Sequence, residues 1–217
     1  MQPMTNTPPT RFCLIRHGET DWNGEKRIQG QIDIDLNAAG EAQARALRQG
    51  LSEHEFAAVY SSDLLRAWHT AQIATVALGI AVSPAPTLRE RHFGVLQGIT
   101  RGEASLQRPD AHRHHVARTP DYDYETGESL IAFAARVMNG LEALAARHAG
   151  RSVLVFTHGG VLDVAYRAAA GLVLEAPRDF PVLNAAVNWL EYCADDWRLI
   201  SWADCSHMRG ALDEVLE

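Results

Sequence analysis

Two apolar runs in this chain each end in a polar turn that contains a histidine and a glycine. Residues 12–15 (FCLI) are followed by RHG at 16–18, and residues 153–156 (VLVF) are followed by THGG at 157–160. Apolar runs of this kind are typical of strands that a parallel sheet covers on both faces. The carboxyl ends of parallel strands share one edge of the sheet, so the two turns are predicted to meet there.

Weaker patterns predict the elements between and after these runs. The remaining predicted strands are at about 57–60, 187–192 and 198–202, and the predicted helices are at about 38–52, 63–78, 128–148 and 159–170. Asn37 and Ser62 stand where the caps of the first two helices are expected. Strands that alternate with helices predict an α/β fold. We expect a three-layer sandwich, with a mostly parallel central sheet flanked by helices and an active site at the carboxyl edge of the strands.

The bulk properties of the chain indicate one globular domain and disfavour nucleic acid and membranes as partners. The chain has 217 residues and a net charge of −7, which disfavours nucleic acid as a partner because phosphates bind basic surfaces. No apolar run approaches the roughly 20 residues of a membrane span, and the N-terminal segment does not resemble a signal peptide. We therefore predict a single domain over 1–217, in the cytoplasm and without membrane contact, as a monomer or a homodimer.

Two arginines extend the pair of histidines into a predicted anion site. Arg16 directly precedes His17, and Arg66 lies in the first turn of the helix that follows the 57–60 strand. The planar guanidinium of arginine matches phosphate oxygens, and free N–H groups at the start of a helix add positive potential. Together with His158, these side chains predict a pocket for a phosphate dianion.

Several blocks of the sequence resemble one known family. The stretch LIRHGETDWN (14–23) is similar to the signature of the histidine phosphatase superfamily, in its phosphoglycerate-mutase-like branch. Later blocks resemble the family in the family's order: RIQGQIDIDLNAAGEAQA (27–44), SSDLLRAWHTA (61–71), LRERHFGVLQG (88–98), GESL (127–130) and VFTHGGV (155–161). The resemblance covers nearly the whole chain. Residues 99–126, which are predicted to form a cap or insert, are the least similar part.

The resemblance implies catalytic roles for five residues. His17 would be the nucleophile that becomes phosphohistidine, and three residues would bind the transferring phosphoryl group: Arg16, Arg66 and His158. Glu90 would protonate the leaving group and then take a proton from water. A neutral imidazole suits such a nucleophile, and arginines can neutralise the phosphate, so we expect neither a cofactor nor a metal.

The resemblance also implies a set of substrate-binding residues around the phosphate. Its members are Asn23, Gln29, Gly30, Arg91, His92 and Gly159. Asn23 follows the nucleophile by six residues, and Gly159 would let the backbone approach the ligand closely. For the other four members, turn chemistry and surface charge are equally good interpretations.

Structural alternatives exist for the catalytic set as well. Arg66 could pair with Asp63, His158 could be a hydrogen-bonded core histidine, and Glu90 could be a solvated loop carboxylate. The cap segment adds a cluster that resembles a metal site by composition: His112, His114 and His115. No spacing motif supports a metal there. These histidines and the arginines near them could instead attract an anionic substrate.

The sequence favours one of three possible functions. The short segment between Glu90 and His158 and the Gly-Gly pair after His158 resemble phosphatase members of the family, whereas the ERHFG block resembles the mutases. A catalytically inactive binding module would be expected to lack His17, Arg16 or Arg66, and all three are present. We therefore predict a phosphomonoester hydrolase that acts on a small phosphorylated metabolite. The alternative is a phosphoglycerate mutase that depends on 2,3-bisphosphoglycerate, and no motif identifies the ester.

Overall fold

A computed structural model describes residues 8–208 of the chain, which form one mixed sheet with helices on both faces. The strands are β1 (Thr10–Arg16), β2 (Ala58–Ser61), β3 (Val82–Pro84), β4 (Ser152–Thr157), β5 (Val187–Cys193) and β6 (Asp196–Asp204). The helices are α1 (Asp21–Gly24), α2 (Ala38–Ser52), α3 (Leu65–Ala74), α4 (Arg101–Gln107), α5 (Pro109–Val116), α6 (Leu130–Arg147) and α7 (Gly159–Ala170). None of the helices between residues 8 and 208 is long and apolar enough to cross a membrane.

The strand order places the two histidine-glycine turns side by side. The sheet runs β3-β2-β4-β1-β5-β6, with β1, β2, β3 and β4 parallel and with β5 and β6 joined as an antiparallel extension. In the β1–β4 register, Arg16 is the partner of Thr157. His17 and His158 therefore leave adjacent strands at the same level, as the sequence predicted.

The apolar runs are buried on both faces of the sheet, which makes three layers. Phe12 and Leu14 pack with α6 and α7 on one face, whereas Cys13 and Ile15 pack with α2 and α3 on the other. The side chains alternate because successive residues of a strand point to opposite faces. This arrangement confirms the predicted three-layer α/β fold with a mostly parallel sheet.

The third helix differs from the prediction at both ends. The sequence predicted a helix at about 63–78 capped by Ser62, but α3 is Leu65–Ala74 and has no side-chain cap. The Ser62 hydroxyl instead lies 2.7 Å from Nε2 of His158. By contrast, Asn37 caps α2 as predicted, since its side-chain oxygen accepts a hydrogen bond from the N–H of Gly40 at 2.9 Å.

Two glycines set the position of the loop that carries the first histidine. A Cβ on Gly18 would overlap the backbone of Gly40 at the start of α2, and a Cβ on Gly40 would overlap the backbone of Glu19. The loop after β1 therefore lies directly against α2. On the other side, the N–H of Gly18 donates to the hydroxyl of Thr70 in α3 at 3.0 Å.

The segment 99–126 forms α4 and α5 and has its own small apolar cluster. Ala104 and Ala111 from these helices pack with Ile28, Leu96 and Tyr124. Gly94 and Gly127 pack closely at its base, because a Cβ on Gly94 would lie 3.0 Å from the backbone nitrogen of Gly127. The segment lies beside the carboxyl edge of the sheet, and its Arg101, His115 and Arg118 line the cavity there.

Candidate active site

A cavity of about 580 Å³ opens at the carboxyl ends of β1 and β4. Most of the residues predicted for the site line it: Arg16, His17, Asn23, Gln29, Gly30, Arg66, Glu90, Arg91 and Gly159. His158 is fully buried behind this lining, with its ring centre 5.3 Å from that of His17. His92 lies outside the lining.

The His17 ring is held so that one nitrogen is free. Its Nδ1 lies 2.7 Å from the carbonyl oxygen of Gly18, which can only accept a hydrogen bond, so Nδ1 carries the proton. Nε2 of the neutral ring is therefore left with its lone pair. Burial lowers the pKa of His17 well below its ordinary value, and the charges of Arg66 and Arg16 act in the same direction. The ring is thus neutral at physiological pH.

Both arginines are fixed by backbone carbonyls. Arg16 donates through Nη1 to the carbonyl of Val182 at 2.6 Å. Arg66 donates through Nη2 to Gly30 at 2.6 Å and through Nη1 to Ile32 at 3.0 Å. The Nε atom of each arginine is buried and has no partner among the described residues. Two guanidinium groups beside the cavity therefore keep a donor available for an anion.

Burial lowers the pKa of both arginines, but both keep their positive charge at neutral pH. Burial lowers the pKa of Arg16 to about 10, Glu90 opposes this shift, and the charges of Arg178 and Arg101 add to it. Burial likewise lowers the pKa of Arg66 to about 10. Both groups stay protonated at neutral pH. The alternative that Arg66 pairs with Asp63 is wrong, since the Asp63 carboxylate accepts from Nε of Arg89 at 2.6 Å.

The carboxylate of Glu90 lies between two backbone donors. Its Oε1 accepts from the N–H of Arg91 at 2.8 Å, and its Oε2 accepts from the N–H of Gly160 at 3.0 Å. The Glu90 backbone is held as well, because its carbonyl accepts from Gln31 at 3.0 Å and from Arg136 at 3.3 Å. The alternative of a freely solvated carboxylate is therefore wrong.

Asn23, Gln29 and Thr20 form a small polar network at the cavity wall. The side-chain oxygen of Asn23 accepts from the hydroxyl of Thr20 at 3.0 Å, which leaves the Asn23 amide hydrogens available. Gln29 donates to the same hydroxyl at 2.8 Å, and its own oxygen has no partner in the described residues. Gly30 adopts a positive φ of 53°, and the side chain of Gln97 occupies the place of a Cβ.

Arg91 contacts the cap, whereas His92 contacts Glu128, which follows the cap in the sequence. Arg91 is buried, donates to the carbonyls of Glu128 and Tyr122 at 2.9 and 3.1 Å, and lies 4.7 Å from the centre of the Tyr124 ring. The backbone N–H of His92 donates to the Glu128 carboxylate at 3.0 Å. The predicted substrate-binding role of both residues stays a prediction, and the geometry gives each a structural role.

The structure adds residues that sequence reasoning missed. Asn184 lines the cavity and donates from its side chain to the carbonyl of His17 at 2.9 Å. Arg178 also lines the cavity, in an exposed position. Both lie in the loop between α7 and β5, which carries no motif that could identify them. Gly160 was named only as part of the glycine pair, although its N–H holds Glu90.

The histidine-rich part of the cap is aromatic in character. His114 stacks on Tyr122 with ring centres 4.0 Å apart, and His115 packs edge-on against Phe93 at 5.3 Å. Burial lowers the pKa of His115 to about 4, and neighbouring arginines contribute. Between residues 8 and 208 there is no group of three or more histidine, cysteine, aspartate or glutamate side chains placed to hold a metal ion.

The fold and the cavity define a class of protein. Two buried arginines with available donors flank a neutral histidine at the carboxyl edge of a parallel sheet, with a carboxylate held nearby. Charge neutralisation and a positioned nucleophile are what transfer of a phosphoryl group requires. These features are typical of enzymes that transfer phosphoryl groups through a histidine.

Comparison with known proteins identifies the family. Residues 12–205 match the family model of the histidine phosphatase superfamily (branch 1). The chain is 41% identical over 202 residues to a metal-independent phosphoserine phosphatase of Arabidopsis thaliana. The aligned region covers 92% of this chain and 83% of that protein. It is 39% identical over 201 residues to phosphoglycerate mutase-like protein 4 of the same plant, with 91% and 86% covered.

A solved structure agrees with these sequence matches. Bacillus stearothermophilus YhfR superposes on this chain with a TM-score of 0.86 and 31% identity, over 92% of this chain and 100% of that one. The chain therefore belongs to the histidine phosphatase superfamily, branch 1. The family, the fold and the class of enzyme predicted from the sequence are confirmed.

Proposed function

We propose that this chain hydrolyses phosphomonoesters through a phosphohistidine on His17. The observation that supports the proposal best is the hydrogen bond between Nδ1 of His17 and the carbonyl of Gly18 at 2.7 Å. It leaves the Nε2 lone pair of a neutral ring beside two buried arginines. A neutral imidazole in an anion pocket is suited to attack phosphorus, because the arginines offset the negative charge of the ester.

In the first step, Nε2 of His17 attacks phosphorus and the bond from phosphorus to the ester oxygen breaks. Glu90 gives its proton to the leaving oxygen, so the alcohol departs neutral. Arg16, Arg66 and His158 hold the three oxygens of the transferring group, with the amide of Asn23 beside them. The N–H groups at the start of α7, which begins at Gly159, add positive potential.

In the second step, water attacks the phosphohistidine. Glu90, now a carboxylate, takes a proton from the water as the bond from nitrogen to phosphorus breaks. His17 regains its lone pair, and inorganic phosphate leaves. The two backbone donors fix the position of the Glu90 carboxylate, and the same group acts as the acid in the first step and as the base in the second. Neither step requires a metal ion.

The charges around the mouth of the cavity support an anionic leaving group. Arg101 of α4 and Arg178 of the α7–β5 loop are exposed, line the cavity from different elements, and act electrostatically on Arg16. A protein with a net charge of −7 thus concentrates positive charge at this opening. We propose that the substrate is a small phosphorylated metabolite that carries a second negative group, such as a carboxylate.

We further propose that residues 99–126 act as the cap of a single domain. The packing of α4 and α5 on Ile28 and Leu96, and the position of Arg101 at the cavity, support this arrangement. The cytoplasmic location and the choice between a monomer and a homodimer stay predictions.

Phosphorus NMR tests the proposal directly. The protein is incubated with EDTA and a pool of phosphomonoesters that includes phosphoserine, sugar phosphates and 3-phosphoglycerate with a trace of 2,3-bisphosphoglycerate. We expect inorganic phosphate to accumulate at the expense of an ester with an anionic leaving group. Conversion of 3-phosphoglycerate to 2-phosphoglycerate without free phosphate would show a mutase instead.

The control for this experiment is His17→Ala. This variant should lose turnover while its circular dichroism spectrum stays that of the wild type, because the ring supplies the nucleophile and the strand around it is unchanged. Turnover within tenfold of the wild type would exclude His17 as the nucleophile. Loss of activity in EDTA that one metal restores would exclude a metal-independent reaction.

A further inference from the structure

Ser62 is a buried serine that follows β2 and contacts the second histidine of the site. Its Oγ lies 2.7 Å from Nε2 of His158, and neither residue is exposed. Helix α3 begins without a side-chain cap from this serine. The hydroxyl therefore serves the histidine rather than the helix.

The partners of the Ser62 hydroxyl determine the direction of this hydrogen bond. Oγ also accepts a long hydrogen bond from the N–H of Leu64, at 3.4 Å. If Nε2 of His158 carried a proton, the hydroxyl would receive two donors and its own buried hydrogen would have no acceptor in the described residues. A hydroxyl that accepts from Leu64 and donates to Nε2 satisfies every hydrogen. Nε2 is then the acceptor.

Because the His158 ring is neutral, the direction of this hydrogen bond determines which ring nitrogen carries the proton. Burial lowers the pKa of His158 well below its ordinary value, and the charges of Arg66, His17 and Arg16 act in the same direction. The ring is therefore neutral, and only one of its nitrogens is protonated. When Nε2 accepts from Ser62, the proton is on Nδ1. Nδ1 is buried and has no partner in the described part of the chain.

We propose that Ser62 is a positioning residue that holds His158 in the tautomer protonated at Nδ1, so that this N–H can donate to the oxygens of the transferring phosphoryl group. The inference rests on the proposed function. No proton moves between Ser62 and His158 during the reaction, and the serine acts only through the ring that it orients. In the opposite tautomer Nδ1 would carry a lone pair and could not donate to the anion.

The first experiment measures the tautomer itself. The ring nitrogens of His158 are assigned by ¹⁵N NMR at neutral pH in the full-length protein without ligand, with His158→Gln used to identify the signals. We expect Nδ1 to show the shift of a protonated nitrogen and Nε2 that of a bare one. The reverse assignment in the wild type would overturn the proposal, whether or not the enzyme hydrolyses any ester.

The second experiment compares two adjacent buried serines. Ser62→Ala removes the donor to His158, whereas Ser61→Ala removes a hydroxyl that donates only to the backbone carbonyl of Ser62 at 2.8 Å. We expect kcat to fall about tenfold to a hundredfold in Ser62→Ala, with little change in KM, because a donor to the transition state loses its orientation. Ser61→Ala should keep the wild-type kcat.

The conservative variant separates orientation from packing. Ser62→Thr keeps the hydroxyl and should recover most of the lost kcat and the wild-type ¹⁵N pattern. If Ser62→Ala unfolds, Ser62→Thr and the wild-type NMR measurement still decide the question. An unchanged kcat in folded Ser62→Ala would overturn the proposal. Failure of the wild type to release phosphate from any ester would refute the proposed function, while the tautomer measurement would stand on its own.

Discussion

Glu90 and Gly160 are 70 residues apart in the sequence, yet the N–H of Gly160 donates to Oε2 of Glu90 at 3.0 Å. The second glycine of the THGG turn thus holds the carboxylate that we propose as the acid and base. The absence of a side chain matters here, because a Cβ on Gly160 would overlap Oε1 of Glu90. The glycine pair therefore links the turn after β4 to the loop that carries Glu90.

Gly160→Ala is expected to lower kcat by about tenfold to a hundredfold, because the new methyl group displaces Glu90 from the leaving oxygen. Position 160 lies in the first turn of α7, so alanine should not weaken the helix itself. Steady-state hydrolysis of an alkyl phosphate and thermal unfolding check the two statements. Gly50→Ala is the matched control, since a Cβ at this position in α2 meets nothing within 4 Å. A wild-type kcat in Gly160→Ala would show that the position of Glu90 does not limit the reaction.

Glu90→Gln should affect esters according to their leaving groups. Alkyl esters need a proton on the departing oxygen, so their kcat/KM should fall by about a hundredfold or more. The leaving group of p-nitrophenyl phosphate needs little help, so the first step with this ester should persist. The second step still needs a base, and phosphohistidine should therefore accumulate after a burst of nitrophenol.

The measurement for Glu90→Gln is rapid-mix detection of nitrophenol, followed by mass spectrometry at mildly alkaline pH. Glu41→Gln is the control, because Glu41 is exposed on α2 and pairs with Arg45. Equal losses for alkyl and aryl esters, without a phosphorylated intermediate, would assign Glu90 a structural role.

The sequence predicted the parts of the site that regular structure dictates. His17 and His158 follow buried apolar runs, so their meeting at one sheet edge follows from the strand register. The end of α3 and the role of Ser62 were not predictable in this way. A serine before a helix favours the cap by local statistics, but here the contact to His158, which lies 96 residues away, prevails over the local preference.

The loop between α7 and β5 shows a second limit of sequence reasoning. Asn184 and Arg178 reach the cavity only because the loop folds back over the carboxyl edge, and the carbonyl of Val182 accepts from Arg16 at 2.6 Å. No periodic pattern or spacing encodes such a path. Arg91 and His92 illustrate the converse, since a motif position predicts a residue's place but not whether its side chain contacts substrate or has a structural role.

The buried histidines predict a dependence of stability on pH. In the folded protein the pKa values of His17 and His158 are well below 6.5, whereas in the unfolded chain they return to about 6.5. As the pH falls below about 6.5, the unfolded state therefore binds more protons, and the free energy of unfolding decreases. The slope can reach at most about 1.4 kcal/mol per pH unit for each histidine, because each takes up one proton in the unfolded chain.

Urea denaturation at several pH values between about 7.5 and 5 measures this slope. His17→Gln should flatten it by the contribution of one histidine. His54→Gln should leave it unchanged, because His54 is exposed in the folded protein. A slope that is the same in His17→Gln and in the wild type would mean that His17 binds protons equally in the folded and unfolded states, so that burial does not lower its pKa.

The two exposed arginines at the cavity mouth predict a preference among substrates. The charges of Arg101 and Arg178 reach Arg16, so they also act on an ester bound beside it. Replacing both with methionine should raise KM for esters with a carboxylate in the leaving group by roughly twofold to fivefold per arginine, since both side chains are solvated. The KM for neutral esters should change less, and added salt should reduce the difference between the two kinds of ester.

Steady-state kinetics with a carboxylated and a neutral ester check this prediction, with Arg198→Met on β6 as the exposed control outside the cavity. Equal changes in KM for the two esters would show that the arginines attract the phosphate alone and that the leaving group need not be charged.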